Sequence, residues 1–533
     1  MRTKYKWKEH TTLLLFTALL LVVFAGCSSK PTETITEDST TPQRGGTLRY
    51  ATIGEPLTLD LMVTTNSLSV DVTSNIYEGL FTLDSHFVPQ PMLAQTFKTE
   101  DHGRRWLIAL RKGVLFHNGQ EMTSDDVVAS LNRWGKMTAG GRTLFQNLTK
   151  LEAPDRYSIV IHLKQPMSIV SSLLAIRPGQ AAIYPKSVID AAGGGDMKQY
   201  IGTGPYRFVS WQPNRFIELA RFDKYQARTE PADGMAGRRE AYLDKIRFIP
   251  VPEVQQRVQG VQTGLYDLAS SISPDLYAGM KNIPSIETMI VKPSYYPVFT
   301  FNKKEGIFRD LKMRQAVQAA ADFEPMMEAA FGDPAFYRLD PSLNFKETKW
   351  WSDAGKSLYN QNNPDKARLL LKAAGYRGQK IRILTTREYE YMYKLAVVLE
   401  SQLEAVGMHA SIEVVDNATL EQRRKVPSAF DMYTTSFLNF NDPGATPYWD
   451  ETSPLSGWWV SPRKDSLLQQ LATESDDSKR LGLVAQFQQL WYEDVPLLKV
   501  GDGFTLRIWS KKVHGPGLTK SPLFYQYNNW LSK

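Results

Sequence analysis

Residues 380–415 read KIRILTTREYEYMYKLAVVLESQLEAVGMHASIEVV, and this stretch decides the architecture. Residues 380–385 form a short β-rich run of strand length. Leu395, Leu399, Leu403 and Val406 then recur on one helical face, and Gly407 stops them. Residues 409–415 make a second strand. A strand, a helix and a strand joined this tightly predict a βαβ unit, hence a parallel sheet with helices on its faces.

Working outward, Asn363-Pro364-Asp365 predicts an N-cap with proline at the first helical position, on a helix ending at Gly375. Leu483, Val484, Phe487, Leu490 and Trp491 mark another amphipathic helix before Pro496. The first half reads differently. Residues 106–111 and 156–163 alternate as strands, Lys112-Gly113 and Asn118-Gly119 are turns, and residues 205–222 predict a hairpin about Pro213-Asn214. Thr123, with Asp126 three residues on, predicts a helix start. The fold class is therefore α/β, with α+β character in the antiparallel first half.

The N-terminus carries an address. Arg2, Lys4, Lys6 and Lys8 precede an apolar run over residues 13–25 broken only by Thr17, and Ala25-Gly26-Cys27 closes it. About 13 residues is signal-peptide length, short of the roughly 20 that a bilayer span needs. The small-small-cysteine ending resembles a bacterial lipobox, so residues 1–26 are expected to be a lipoprotein signal peptide and Cys27 the lipidation site. Cys27 is also the only cysteine, which excludes an intrachain disulfide. Residues 28–44 hold five Thr, three Ser and two Pro, with Ile35 the one large apolar side chain. Such a composition cannot bury a core, so residues 27–44 are expected to be a disordered tether.

The signal peptide also inflates the net charge of +7. Removing its four basic and one acidic side chains leaves 59 against 55, or +4. The two signs are intermixed without a basic block, which argues against nucleic acid as a partner. The seven His show no His-x-x-x-His or Glu-flanked spacing, and no phosphate loop, dinucleotide fingerprint or Gly-x-Ser-x-Gly elbow occurs. No catalytic residue, metal or cofactor is expected, and the chain reads as a binding protein rather than an enzyme. His86, His102 and His117 read as solvated or core side chains.

Several stretches carry a family resemblance. They are GGTLRYATIGEPLTLDL (45–61), IYEGLF (76–81), WLIALRKGVLFHNGQEMTSDDVVASLNR (106–133), IGTGPYRFVSW (201–211), FNKKEGIFRDLKMRQAVQAAAD (301–322), NPDKARLLLKAAGY (363–376), NDPG (441–444) and FQQLWYEDVPLL (487–498). In this order the chain resembles the solute-binding proteins of family 5, the dipeptide, oligopeptide and nickel class of ABC importers. The resemblance implies a type II periplasmic-binding-protein fold of two lobes with a hinge plus an extra domain. Lobe I would comprise 45–75, 201–291 and 504–533, the extra domain 76–200 and lobe II 292–503, with crossings near Pro293 and Gly501. It implies a monomer that captures a peptide or peptide-like solute between closing lobes and delivers it to an ABC permease. The protein would be extracytoplasmic and lipid-anchored, in the periplasm if the cell is Gram-negative. Metal chelate, haem, glutathione, opine and oligosaccharide ligands remain open, as does a sensory or chaperone-like role on the same fold.

The resemblance also implies a binding loop. Peptide-binding members place an acidic residue three positions before an acidic-Pro pair, where it takes the peptide ammonium. Here Asn439 stands in that place, before Asp442-Pro443. An amide cannot compensate a buried ammonium as a carboxylate does, so a ligand neutral at that point is expected. Asp442 could substitute, although Asp-Pro-Gly is more simply a turn. Tyr295 and Tyr296 beside the first crossing, and Tyr448, Trp449, Trp458 and Trp459 after the loop, offer rigid contact area.

Overall fold

A long strand, Ile286–Phe301, ties the molecule together. Its first half pairs antiparallel with Asp502–Ser510, and its second half pairs with Met432–Phe437 and Leu497–Lys499. This computed structural model describes residues 41–176, 179–438, 442–515 and 525–532. The sheet that grows from the long strand has 12 strands. Beyond its second half lie Met432–Phe437, Ile381–Thr385 and Ala410–Val414; beyond its first half lie Asp502–Ser510, Leu268–Ile272, Thr47–Thr52, Lys245–Pro250, Phe216–Arg221 and Tyr206–Gln212.

The 380–415 unit forms as its periodicity requires. Ile381–Thr385 runs parallel to Ala410–Val414, with Ile381 opposite Ala410, and helix Glu390–Ala405 connects them. Leu395, Leu399 and Leu403 are buried on the helix face turned to the core. Asn363 caps helix Pro364–Ala373 by accepting from the Lys366 amide at 2.9 Å. Thr123 and Asp126 exchange a capping-box contact at the head of helix Ser124–Met137. The hairpin about Pro213-Asn214 joins Tyr206–Gln212 to Phe216–Arg221, and Asn214 takes the left-handed conformation that the turn needs.

Local patterning does not reveal the opening strand's partners. Thr47–Thr52 lies between Lys245–Pro250 and Leu268–Ile272 and is parallel to both. The antiparallel-rich first half therefore has a parallel centre built from segments about 200 residues apart. A separate four-stranded antiparallel sheet, in the order Ala94–Glu100, Arg105–Leu110, Ser158–Leu163, Leu148–Asp155, falls wholly within residues 76–200.

The chain passes between the two halves of the large sheet at two places. The first is the long strand, whose pairing slips between Val291 and Tyr295. Ser294 fills the slip, donating to the Val291 carbonyl at 2.7 Å and sharing a hydrogen bond with Thr505 at 3.0 Å. The second runs from Leu497–Lys499 through Val500 and Gly501 into Asp502–Ser510. Lys499 and Asp502 pair there at 2.9 Å with each side chain 1% exposed. Lys499 also donates to the carbonyls of Asp340 and Ser342, and Arg338 donates to Asp502 at 2.6 Å.

The glycines of this crossing serve close approach rather than backbone bending, which corrects the reading of a flexible glycine-rich segment. A Cβ on Gly501 would lie 2.8 Å from the Arg338 carbonyl oxygen, and one on Gly503 would lie 2.7 Å from Phe331 Cζ. Neither glycine has a positive φ.

Two stability predictions follow from this packing. Asp502→Asn should cost about 3–5 kcal/mol in urea unfolding, because it strands the buried Lys499 ammonium; a loss under about 1 kcal/mol would show that the pair is dispensable. His117 gives a pH dependence. Its Nδ1 accepts from the Gly202 amide at 3.3 Å and its Nε2 donates to the Gly204 carbonyl at 2.9 Å, so the ring is neutral as packed. Burial pushes its pKa down from 6.5 to about 4. Between those values the unfolded chain takes a proton that the folded chain refuses. The stability from the neutral ring is thus present above pH 6.5 and is lost toward pH 4, by roughly 3 kcal/mol at most. His117→Gln should flatten that part of the stability curve; an unchanged slope would contradict the assignment.

Candidate functional site

A cavity of about 680 Å³ lies against both crossings. Its wall takes residues from each half of the large sheet. From the first half come the 65–71 segment at the head of helix Ser67–Thr73, Pro252 to Arg257, Ser270 to Pro274, and Phe504 to Arg507. From the second come Tyr295, Phe331, the 387–392 segment, Asn417 to Arg424, Thr434 to Leu438 and Tyr448. The 387–392 segment follows the carboxyl end of strand Ile381–Thr385, where open α/β sheets commonly place ligands.

Aromatic rings make the apolar part of the wall. Tyr295 stands opposite Gly503 in the strand register, and the missing Cβ leaves room for its ring. Tyr391 lies 4.9 Å from the Tyr295 ring and stacks on Phe331 at 5.9 Å, while its hydroxyl donates to Ser436 at 3.0 Å. Tyr448 stacks nearly parallel on Phe437 at 4.1 Å and donates to the Leu438 carbonyl at 3.0 Å. Tyr389 reaches across to Ser67 of the other half; burial pushes its pKa up to about 12 despite that hydrogen bond.

The charged groups on the wall differ in how they are satisfied. Arg257 is buried and donates to the carbonyls of Val251, Pro252 and Ser271, and burial lowers its pKa to about 10. Tyr50 sits 3.4 Å from Asp71, and burial raises the phenol's pKa, with the Asp71 charge adding to the rise. Arg424 is buried and holds Glu421 at 2.5 Å.

The sequence-derived candidates fall in several places. Tyr295 and Tyr448 lie on the cavity wall. Tyr296 does not: successive side chains of a strand point to opposite faces, so its ring, 1% exposed, packs edge-on against Phe345 and Phe437 beneath Lys499. Trp449 is core, against Phe437, Trp459 and Phe487. Trp459 packs with it and donates to Asp494. Trp458 stacks on Phe430 with the Lys304 ammonium 5.6 Å over the ring. Asp442 is the turn residue, accepting from the Gly444 amide at 2.9 Å and paired with Arg480; burial raises its carboxyl pKa against the pull of that arginine. It stands off the cavity wall. Asn439 and Cys27 lie outside the described residues.

Sequence reading missed Tyr389, Tyr391, Phe331 and Arg424. A usable signal existed for the tyrosines, since Arg387-Glu-Tyr-Glu-Tyr391 comes directly after a parallel strand and before its helix. Arg424 carried no comparable signal.

Two halves of one sheet enclosing a cavity with aromatic and polar walls define a substrate-binding protein. Residues 88–455 match the bacterial extracellular solute-binding proteins, family 5 (middle), and the chain belongs to that family, the substrate-binding proteins of ABC transporters. A probable peptide ABC transporter periplasmic-binding protein, y4tO, from Sinorhizobium fredii is 27% identical over 86% of this chain and 88% of its own. Among solved structures, AgaA from A. tumefaciens R10 with agropinic acid superposes with a TM-score of 0.80 at 23% identity, over 92% of this chain and 99% of that one. AppA from Bacillus subtilis with a nonapeptide gives 0.79 at 22%, over 92% and 100%. At such identity these two likenesses concern the fold alone. The related proteins are binding components rather than enzymes, and no helix among the described residues is long and apolar enough to cross a membrane.

Proposed function

We propose that this chain captures a small peptide-like solute outside the cytoplasm and delivers it to an ABC permease, acting as a monomer. The observation that carries the reading is the cavity shared between the two halves of the large sheet, at about 680 Å³. That is the size of a site that wraps most of a small ligand's surface, and its mixture of rings with a few fixed polar groups suits such a ligand. The peptide names of y4tO and AppA support the peptide-like class. Asn439, standing where peptide-binding members carry an acid, favours a solute without a free ammonium at that point.

The lobes that would close are 45–75, 201–291 and 504–533 on one side and 292–503 on the other, with 76–200 as the added domain. Support comes from the sheet, which changes partners along the long strand at Val291–Tyr295 and again between Lys499 and Asp502. Residues 1–26 would be removed as a signal peptide, and Cys27 would carry lipid at the end of a tether over 27–44. None of these roles requires a metal or cofactor.

Closure is testable with a panel of free and N-acetylated di- and tripeptides. A binder should shrink the radius of gyration in X-ray scattering. It should also stabilise the fold by about 2.7 kcal/mol at a hundredfold excess over Kd. A tight binder that left the scattering curve unchanged would sink the two-lobe reading.

The anchor is tested separately. Cys27→Ser should move the protein from the membrane fraction to the soluble fraction without altering its unfolding midpoint. Persistence of the variant in membranes would contradict lipidation at Cys27.

A further inference from the structure

Buried arginines in this protein are saturated with hydrogen bonds, with one conspicuous shortfall on the cavity wall. Arg314, for comparison, is 7% exposed and donates through Nε, Nη1 and Nη2 to the carbonyls of Phe308, Arg309, Asp494 and Val495. Arg424 is 6% exposed, yet among the described residues its side chain makes a single hydrogen bond, from Nη2 to Glu421. Its Nε is buried without a partner. A guanidinium has five donor protons, and a buried donor left unpaired forfeits its hydration without return. The residue closes the short helix Asn417–Arg423 and lines the cavity beside Leu420 and Glu421.

We propose that Arg424 is the specificity-determining cation of this cavity and that it takes a carboxylate of the solute. This rests on the reading of the cavity as the solute site. Glu421 occupies one position on Nη2. Nη1 and the second Nη2 proton form the end of the fork, the geometry that grips a carboxylate through two parallel bonds. A single half-exposed carboxylate is a weak match for so deeply buried a guanidinium, and an incoming acid completes it. The recognised solute is thus an acid, anchored by its carboxylate at Arg424. The rings of Tyr295 and Tyr391 cover the uncharged remainder. With an amide at Asn439 in place of an acid, the discrimination in this chain moves from the solute's amine to its carboxylate.

The test uses the whole mature chain and isothermal titration calorimetry. The panel holds N-acetylated di- and tripeptides, glutathione and gluconate, each acid matched by its amide. Acids should bind, and each amide should bind roughly ten- to a hundredfold more weakly, the worth of a charge-assisted hydrogen bond. Arg424→Gln should erase the difference between acid and amide. Glu421→Gln should tighten the acids several-fold by freeing the guanidinium, an effect that a purely structural salt bridge would not produce. This second variant decides the matter even if Arg424→Gln does not fold. Equal affinity for acid and amide in the native protein overturns the assignment, as does an acid preference that survives Arg424→Gln. Binding of amines or polyols with no acid among the binders also overturns it, while leaving solute capture intact.

Discussion

The buried pair of Lys499 and Asp502 is the constraint on which the remaining architecture turns. Both side chains are almost wholly removed from water, and desolvating two charges is repaid only where the geometry is good and the spare donors are filled. Here the ammonium also reaches the carbonyls of Asp340 and Ser342, while the carboxylate also receives Arg338. Arg338 in turn is held by Glu347 at 2.9 Å. These bonds tie the 338–347 segment to the passage between strands Leu497–Lys499 and Asp502–Ser510 and fix the register at which the chain leaves one half of the sheet for the other. Gly503 is thereby brought opposite Tyr295, and the wall of the cavity begins there.

The cavity inherits its character from that register. A strand alternates faces, so the single step from Tyr295 to Tyr296 separates a wall residue from a core residue, and a slip of one position would exchange them. Gly503 permits the tyrosine ring to sit against the backbone, and Phe331, Tyr391 and Tyr295 form a continuous aromatic surface from it. The polar groups arrive from elements far apart in sequence. Ser67 and Asp71 come from one half, and Tyr389, Glu421 and Arg424 from the other. Tyr389 meeting Ser67 joins the two halves over the cavity. Binding and relative movement of the halves are therefore coupled through the same side chains, since a solute that contacts both sides stabilises the arrangement in which they meet.

The tryptophans near the 442–444 turn show how aromatic density misleads. Trp449 and Trp459 pack with Phe487 into a core around Lys464, whose ammonium is satisfied by the carbonyls of Trp449 and Trp459. Large rings contribute most where they are fully enclosed, so a cluster of them marks a core at least as often as a binding surface. Asp442 illustrates the same competition for a charged group. Its oxygen is taken by the Gly444 amide and by Arg480.

By itself the sequence determined the parts whose information is local. The 3.6-residue periodicity of Leu395, Leu399 and Leu403 specified a helix between two strands, and the caps at Asn363 and Thr123 specified where helices begin. The ordered set of family stretches, spread over residues 88–455 and beyond, specified the class. What only the tertiary structure decided is non-local. Thr47–Thr52 finds parallel partners about 200 residues away because a parallel pairing leaves no turn signal in the chain. Tyr295 rather than Tyr296 faces the cavity because the register of the long strand is set by contacts at Lys499 and Asp502. Arg424 stands out only when its hydrogen bonds can be counted against those of the other buried arginines. Composition and spacing report which groups a chain carries; whether a group is buried, paired or left with open donors depends on neighbours that the fold alone supplies.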